Sequence, residues 1–233
     1  MSDAAYIARR AELEAYFDRT AVESWKRLTS DVPLGRIRAT VRAGREAMRQ
    51  TLLSYLPFDL AGARVLDAGC GTGALAIEVA RRGANVLAID LSPTLVDLAQ
   101  ERSPRDLGAG RLRFSVGDML DRSLGQFDFV VAMDSLIHYR GPHIARALAS
   151  LAPRTARGIL FTVAPRTPAL TAMHAIGRLF PRGDRAPAIE PISRGNLECC
   201  LGSEPDLAAW RMGRARRIVN GFYLSQAMEL KRR

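Results

Sequence analysis

Two stretches in the first 56 residues repeat side chains at helical spacing. The positions that share a face are Tyr6, Leu13, Phe17 and Thr20, and then Ile37, Val41, Met48 and Leu52 with the small Gly44 on the same stripe. Spacings of three, four and seven residues are typical of amphipathic helices that bury one face. We therefore predict an N-terminal helical arm over residues 1–56.

From residue 63 the pattern changes to short apolar runs separated by helix-like segments. The runs read RVLDAG, ANVLAIDLS, LRFSVGDM, FDFVVAMDSL and GILFTVAP, and a further helix is expected near residues 142–152. Short apolar runs that alternate with helices are typical of a parallel sheet that is buried on both faces. The pattern predicts an α/β fold in which five parallel strands are flanked by helices.

The pattern becomes irregular after the fifth run. An amphipathic helix is predicted at residues 168–180, and a loop rich in Pro and Gly follows it. The apolar side of this helix consists of Leu170, Met173, Gly177 and Phe180. This region interrupts the sheet pattern, so we predict an insertion at about residues 166–200 within a domain that spans residues 57–233.

The tail contains two alternating segments, near RARRIV and FYLSQAMELK. Asn220 and Gly221 lie between them, and an Asn-Gly pair between alternating segments is a strong hairpin signal. The tail therefore predicts a β-hairpin.

Length and composition suit one soluble domain, because 233 residues of which 48% are hydrophobic can bury an α/β core. No apolar run is long enough to span a membrane, and the charged N-terminus lacks the apolar core of a secretory signal. We therefore expect a cytoplasmic protein. Cys70, Cys199 and Cys200 form no paired framework and no metal-binding motif, so we expect reduced structural thiols.

The net charge of +10 raises the alternative of nucleic-acid binding. Residues 140–233 contain 16 basic and 6 acidic side chains, so the excess lies in the C-terminal part. These basic residues are scattered and lack the interleaved aromatic side chains of a single-strand-binding surface. We favour a solvated basic face and expect no nucleic-acid partner.

A glycine-rich turn follows the first predicted strand. Its glycines, Gly69, Gly71 and Gly73, depart from the G-x-G-x-x-G spacing of dinucleotide-binding turns, although the turn alone would also suit a nicotinamide cofactor. Asp67 at the strand end would repel a phosphate and attract an ammonium group. Asp90 ends the second strand, where it can accept hydrogen bonds from both hydroxyls of a ribose. A ligand with a ribose and an ammonium group but no phosphate is S-adenosylmethionine.

The ends of the other strands add candidate cofactor contacts. Asp118 is placed to accept a hydrogen bond from the adenine amino group, and Met119 would pack beside the ring. Leu91 and Met133 complete the predicted cofactor-binding set. Each acidic residue alone would also suit a helix cap or a loop, but acids at three successive strand ends favour methyl transfer.

Residues 62–165 resemble the class I methyltransferases, and the predicted hairpin resembles the reversed last strand of that family. The resemblance implies a Rossmann-like, mostly parallel sheet of seven strands in the order 3-2-1-4-5-7-6. It also implies that the methyl donor lies over the carboxyl ends of strands one to four.

Four segments outside the glycine turn are similar to the magnesium-protoporphyrin IX O-methyltransferases of bacteriochlorophyll synthesis. They read YFDRTAVESWKRL, RATVRAGREAM, AMDSLIHY and FTVAPRTPAL…GRLFPR. One departure concerns an Ile-Tyr-Gly-Asp run that this family often shows, where the present chain reads Leu28-Thr29-Ser30-Asp31. A catalytic tyrosine therefore cannot be carried over to Thr29.

This second resemblance implies methyl transfer to a propionate carboxylate of magnesium-protoporphyrin IX. Such a carboxylate is already ionised at neutral pH, so positioning and exclusion of water must supply most of the catalysis. His138 would hydrogen-bond the propionate or approach the magnesium, Tyr139 offers a second polar group, and the insertion at 166–200 would cap the acceptor. A magnesium-chelatase subunit as partner and peripheral contact with the photosynthetic membrane stay open.

Two alternatives remain at this point. The second enzyme interpretation is a methyltransferase of another small acid or a quinone precursor, which would keep the cofactor pocket and lose the porphyrin walls. A basic nucleic-acid-binding protein that uses the fold without catalysis is the alternative from another class, and its binding would weaken steeply with salt.

Overall fold

Seven strands are present in the residues that the computed structural model describes, which are 4–20, 35–166 and 188–233. They are β1 (Arg64–Ala68), β2 (Asn85–Asp90), β3 (Arg111–Val116), β4 (Phe127–Ala132), β5 (Thr155–Val163), β6 (Trp210–Asn220) and β7 (Tyr223–Arg232). They form one sheet in the order β3-β2-β1-β4-β5-β7-β6. The first five strands pair in parallel, and β7 is antiparallel to both β5 and β6. The predicted fold and strand order are confirmed.

Helices lie before and between the strands. They are α1 (Ala4–Ala15), which continues as a π-helical turn at Tyr16–Thr20, α2 (Arg36–Tyr55), α3 (Ala74–Arg81), α4 (Pro93–Arg102), α5 (Gly141–Leu151) and α6 (Arg194–Gly202). Local sequence sets some of their ends. Ser92 caps α4 by accepting a hydrogen bond from the Leu95 N–H, and Pro93 occupies the first turn, where no N–H donor is needed.

The strands β1, β2, β4 and β5 are buried on both faces, as their continuous apolar runs predict, whereas the edge strands β3 and β6 are largely half-buried or exposed. One face packs against α5 and α6 and includes Leu66, Val130 and Phe161. The opposite face packs against α2 and α3 and includes Val65 and Val131. Because successive strand residues point to opposite faces, neighbouring positions of β1 and β4 supply both cores.

The predicted face of α2 is buried only in its second half. Met48 and Leu52 are fully buried, whereas Ile37 is 57% exposed. Ile37 lies in the first turn of the helix, while the later turns pack on the hairpin strands and α3. A Cβ at Gly44 would lie 2.5 Å from the Tyr223 ring, so glycine permits the close approach of α2 to β7. The division between an arm at 1–56 and a domain at 57–233 stays a prediction.

The hairpin forms where the tail predicts it, although its turn lies one residue later. Asn220 pairs with Tyr223, so the two turn residues are Gly221, which has a φ of +56°, and Phe222. Glycine takes this conformation without strain. The turn lies beside Thr40 of α2, because a Cβ at Gly221 would be 2.5 Å from the Thr40 hydroxyl oxygen.

Several predicted features of the insertion fall outside the described residues, namely the helix at 168–180 with Leu170, Met173, Gly177 and Phe180. The segment Leu28–Asp31 also lies there. Within the described part of the insertion, α6 is a helix that the periodicity did not predict. Cys70, Cys199 and Cys200 are unpaired, and no described helix is long and apolar enough to cross a membrane.

Candidate active site

A cavity of about 350 Å³ opens at the carboxyl ends of the parallel strands. This is the edge at which open α/β sheets bind ligands. The predicted site residues that line it are Asp67, Gly69, Gly71, Asp90, Leu91, Asp118, Met119, Met133 and His138. Gly73 and Tyr139 are not among the lining residues, so the structure brings together nine of the eleven predicted positions.

Two glycines of the turn have different structural roles, since one leaves the backbone accessible and the other permits close packing. Gly71 has a φ of +53° and open space where a Cβ would lie, so its backbone is accessible from the cavity. Gly73 precedes α3, and a Cβ there would lie 2.7 Å from the Phe114 ring. Gly73 permits close packing of the turn on β3, and its contact with the cofactor stays a prediction.

Asp67 provides a buried negative charge at the floor of the cavity. Its side chain is 1% exposed, and its Oδ2 atom has no hydrogen-bond partner within the described part of the chain. Burial raises the pKa of Asp67 to about 7, the nearby Asp90 carboxylate adds to the rise, and a hydrogen bond from the Ala76 backbone opposes it. An unpartnered buried carboxylate is costly until a cation meets it, so the group fits the ammonium end of S-adenosylmethionine.

Asp90 holds the glycine turn and faces the same cavity. One carboxylate oxygen accepts from the Gly71 N–H at 2.8 Å, and the other accepts from the Ser92 N–H at 3.0 Å. Burial raises the pKa of Asp90, while backbone hydrogen bonds from Ser92, Gly71 and Leu91 lower it. A carboxylate has about four acceptor positions, so the three backbone donors leave room for a hydrogen bond from the ribose in the predicted role.

The Asp118 carboxylate forms hydrogen bonds with side chains of α1. Its carboxylate accepts hydrogen bonds from Arg10 at 2.9 Å, from the Tyr6 hydroxyl at 3.3 Å and from the Leu120 N–H at 2.9 Å. These contacts tie α1 across the cavity. An adenine amino group would therefore donate to a carboxylate that already accepts three hydrogen bonds. Met119 lines the cavity, as expected.

His138 lines the cavity beside the N-terminal arm. Its Nδ1 atom is 3.4 Å from the Ala188 carbonyl oxygen, and its ring meets the Phe17 ring edge-on at 5.8 Å. Because a carbonyl only accepts, this contact favours a proton on Nδ1 and leaves Nε2 as the acceptor nitrogen of the neutral ring. The position fits a group that contacts an acceptor.

Tyr139 is buried next to Tyr6 and is not among the residues that line the cavity. It is 3% exposed, and its ring stacks on Tyr6 at 5.3 Å. Burial and the nearby Asp118 raise the pKa of Tyr139 to about 12, partly offset by a hydrogen bond with Tyr6. The prediction that Tyr139 is a catalytic group is not supported by this placement, since the side chain packs behind the cavity wall.

The sequence did not single out Asp134, which the structure places at the centre of a hydrogen-bond network. Its carboxylate accepts from Arg45 at 2.8 Å, from the Tyr223 hydroxyl at 3.0 Å, and from the Thr162 and Ser225 hydroxyls at 3.3 and 3.4 Å. Asp134 has a φ of +55°, which is uncommon for a residue other than glycine. The network joins α2, β4, β5 and the hairpin at the cavity wall.

One face of α2 supplies arginines that the sequence also did not mark. Arg42, Arg45 and Arg49 are spaced by three and four residues, and all three line the cavity. Glu46 lies on the same face and pairs with Arg49. Carboxylates of a donor or an acceptor would meet guanidinium groups on this side.

Two family models match the chain. One, described as a methyltransferase domain, covers residues 65–158, and the other, described as a magnesium-protoporphyrin IX methyltransferase C-terminus, covers residues 132–232. A magnesium-protoporphyrin O-methyltransferase from Rhodobacter capsulatus is 48% identical over 97% of this chain and 98% of its own length. The chain belongs to the magnesium-protoporphyrin O-methyltransferase family.

Two further members of the magnesium-protoporphyrin O-methyltransferase family match over most of the chain. The chloroplastic enzyme of Arabidopsis thaliana is 31% identical over 92% of this chain and 68% of its own length. The crystal structure of the Synechocystis PCC 6803 enzyme with bound SAH superposes with a TM-score of 0.83 at 27% identity, covering 96% of this chain and all of that one. Membership in this family, together with the fold, shows a class I methyltransferase.

Proposed function

We propose that this protein transfers a methyl group from S-adenosylmethionine to one propionate carboxylate of magnesium-protoporphyrin IX, giving the monomethyl ester in bacteriochlorophyll synthesis. The observation that carries the proposal is the 48% sequence identity to the Rhodobacter capsulatus enzyme over 97% of this chain. The matched region includes residues 132–232, which contain His138. Delivery of the substrate from a magnesium-chelatase subunit and peripheral contact of this cytoplasmic protein with the photosynthetic membrane belong to the same proposal.

The donor end of the cavity consists of acidic and glycine residues. Asp67 would pair with the ammonium group, Asp90 would accept from the ribose, and Leu91, Met119 and Met133 would pack around the rest of the donor. When bound, S-adenosylmethionine supplies an electrophilic methyl group on a sulfonium. The arginine face of α2 lies on the same cavity and supplies positive charge for carboxylates.

The acceptor end must hold a carboxylate in line with the methyl group and exclude water. A propionate has a pKa of roughly 4–5, so it needs no general base at neutral pH. Orientation of the two groups contributes roughly 7–11 kcal/mol when the reacting atoms are well placed. With its proton on Nδ1, His138 would approach the magnesium of the substrate through Nε2, and only the doubly protonated ring would donate a hydrogen bond to the propionate. Tyr6, Leu13 and Phe17 from the N-terminal arm line the same cavity.

A panel of porphyrins with isotope-labelled donor tests the proposed reaction. Magnesium-protoporphyrin is expected to be methylated much faster than the metal-free ring. A propionate on either ring can react, so the enzyme must distinguish the two porphyrins by the shape of the macrocycle and by the axial ligand that the metal accepts. Mass spectrometry should detect a monomethyl ester. Equal rates with the metal-free ring, or no porphyrin ester while calorimetry shows bound donor, would refute the proposal.

The buried carboxylate of Asp67 predicts that donor affinity depends on pH. Its pKa is raised to about 7, and only the ionised form pairs with an ammonium group, so affinity is present above that pKa and falls as the pH drops through it. We expect affinity to fall about eightfold from about pH 7.5 to about pH 6. Calorimetry on the parent and on Asp67→Asn, in which this dependence should disappear, measures the effect. A pH profile that is the same in both proteins would contradict the assignment.

A further inference from the structure

A second cavity lies on the α5–α6 face of the sheet, at the carboxyl end of β5. Its volume is about 140 Å³. Its lining combines apolar side chains, among them Val163, Leu197 and Met228, with the arginines Arg166, Arg194 and Arg217.

The cavity has an excess of positive charge. Among the described residues, no carboxylate forms an ion pair with Arg166 or Arg217, and Arg217 donates a hydrogen bond of 3.3 Å to the Gln226 side-chain oxygen. Arg194 pairs with Glu198 at 2.8 Å. Three guanidinium groups with one acidic partner favour an anionic ligand, and planar guanidinium groups suit carboxylates.

A short segment connects this cavity to the acceptor end of the first one. The Ala188 carbonyl oxygen contacts His138 Nδ1, the Glu190 N–H donates to the Ile137 carbonyl at 2.9 Å, and Ile192 lines the second cavity. Four residues of extended chain from Ala188 to Ile192 span at most about 14 Å. The contact with His138 and the second cavity are therefore separated by at most about 14 Å of this segment.

We propose that the second cavity binds the propionate of the acceptor that is not methylated. This inference rests on the proposed function, because magnesium-protoporphyrin IX has two propionates on neighbouring pyrrole rings. The apolar floor formed by Val163, Leu197 and Met228 would contact the methylene groups of that arm, and the arginines would hold its carboxylate.

The same arrangement explains why the reaction would stop at one ester. A second transfer requires the macrocycle to turn, which places the new ester in the arginine-lined cavity. A neutral ester cannot form the charge-assisted hydrogen bonds that a carboxylate forms there. The monoester would therefore bind poorly in the orientation that leads to a diester.

The test compares two substrates and two variants. The substrates are magnesium-protoporphyrin IX and its derivative in which the non-reacting propionate is a carboxamide. The double variant Arg166→Gln/Arg217→Gln removes the two arginines that have no acidic partner among residues 4–20, 35–166 and 188–233. Arg216→Gln is the matched control, since Arg216 is an exposed neighbour that does not line the cavity.

We expect the double variant to raise the KM for the diacid about 10–100-fold, as expected for the loss of charged hydrogen bonds, with donor affinity unchanged. The parent should show a similar rise with the carboxamide, and the double variant should show no further rise. Arg216→Gln should behave as the parent with both substrates. Thermal unfolding verifies that each variant is folded.

Three results would overturn the inference. The first is an equal loss by the double variant with the diacid and the carboxamide. The second is an unchanged KM for the diacid. The third is binding of inorganic phosphate that the double variant loses while it methylates the diacid normally, which would assign the cavity to a free anion. Absence of any porphyrin ester with all proteins would instead refute the proposed function itself.

Discussion

Asp90→Ala is expected to weaken binding of S-adenosylmethionine by about 10–100-fold, which corresponds to loss of roughly 1.5–3 kcal/mol of hydrogen bonding to a charged group. The effect has two sources in the structure. The carboxylate is placed for the ribose hydroxyls, and it also accepts from the Gly71 and Ser92 N–H groups that shape the turn. Calorimetric titration with the donor measures the change.

Asp106→Ala is the matched control for this variant. Asp106 also accepts a hydrogen bond from a backbone N–H, that of Gly108 at 2.9 Å, but it is exposed and does not line the cavity. Its substitution should leave donor affinity unchanged. An Asp90→Ala protein that binds the donor as tightly as the parent would exclude Asp90 from the cofactor site.

His138→Phe is expected to lower turnover about 100-fold while donor affinity changes by less than about twofold. The ring lies at the acceptor end, where its Nδ1 contact with Ala188 fixes its orientation. Phenylalanine keeps the packing against Phe17 and removes both nitrogens. Steady-state kinetics with saturating donor, together with donor titration, separates the two effects.

His143→Phe provides the comparison, because His143 lies on α5 and does not line the cavity. It should retain the turnover of the parent. Equal turnover of His138→Phe and the parent would show that His138 is a packing residue. A parallel loss of donor affinity would show that the substitution disturbs the whole cavity.

The sequence predicted the fold because its signals are local. Each apolar run is a strand, and the hairpin follows from a glycine next to alternating segments. Asp67 and Asp90 could be placed because parallel strands end at one edge of the sheet, so a residue at a strand end has a defined location. The glycine turn likewise lies beside the strand that precedes it.

The remaining parts of the site depend on contacts between distant segments. Asp134 meets Arg45 and Tyr223, each 89 residues away, and Asp118 meets Arg10, which is 108 residues away. The spacing of hydrophobic residues along the sequence does not indicate contacts between residues so far apart. Tyr139 shows the same limit at short range, since it follows His138 directly but its side chain points into the core.

The position of β7 has a consequence for synthesis of the protein. β7 is made after β6 but lies between β6 and β5, and Tyr223 at its start bonds to Asp134. Until residues 223–232 have left the ribosome, one edge of β5 is unpaired. Asp134 at the cavity wall also lacks the hydrogen bond from the Tyr223 hydroxyl. An unpaired edge is a template for pairing with other chains. We therefore expect nascent chains that stall before residue 223 to aggregate and to bind no donor, so that competence for methyl transfer arises only once β7 has been made.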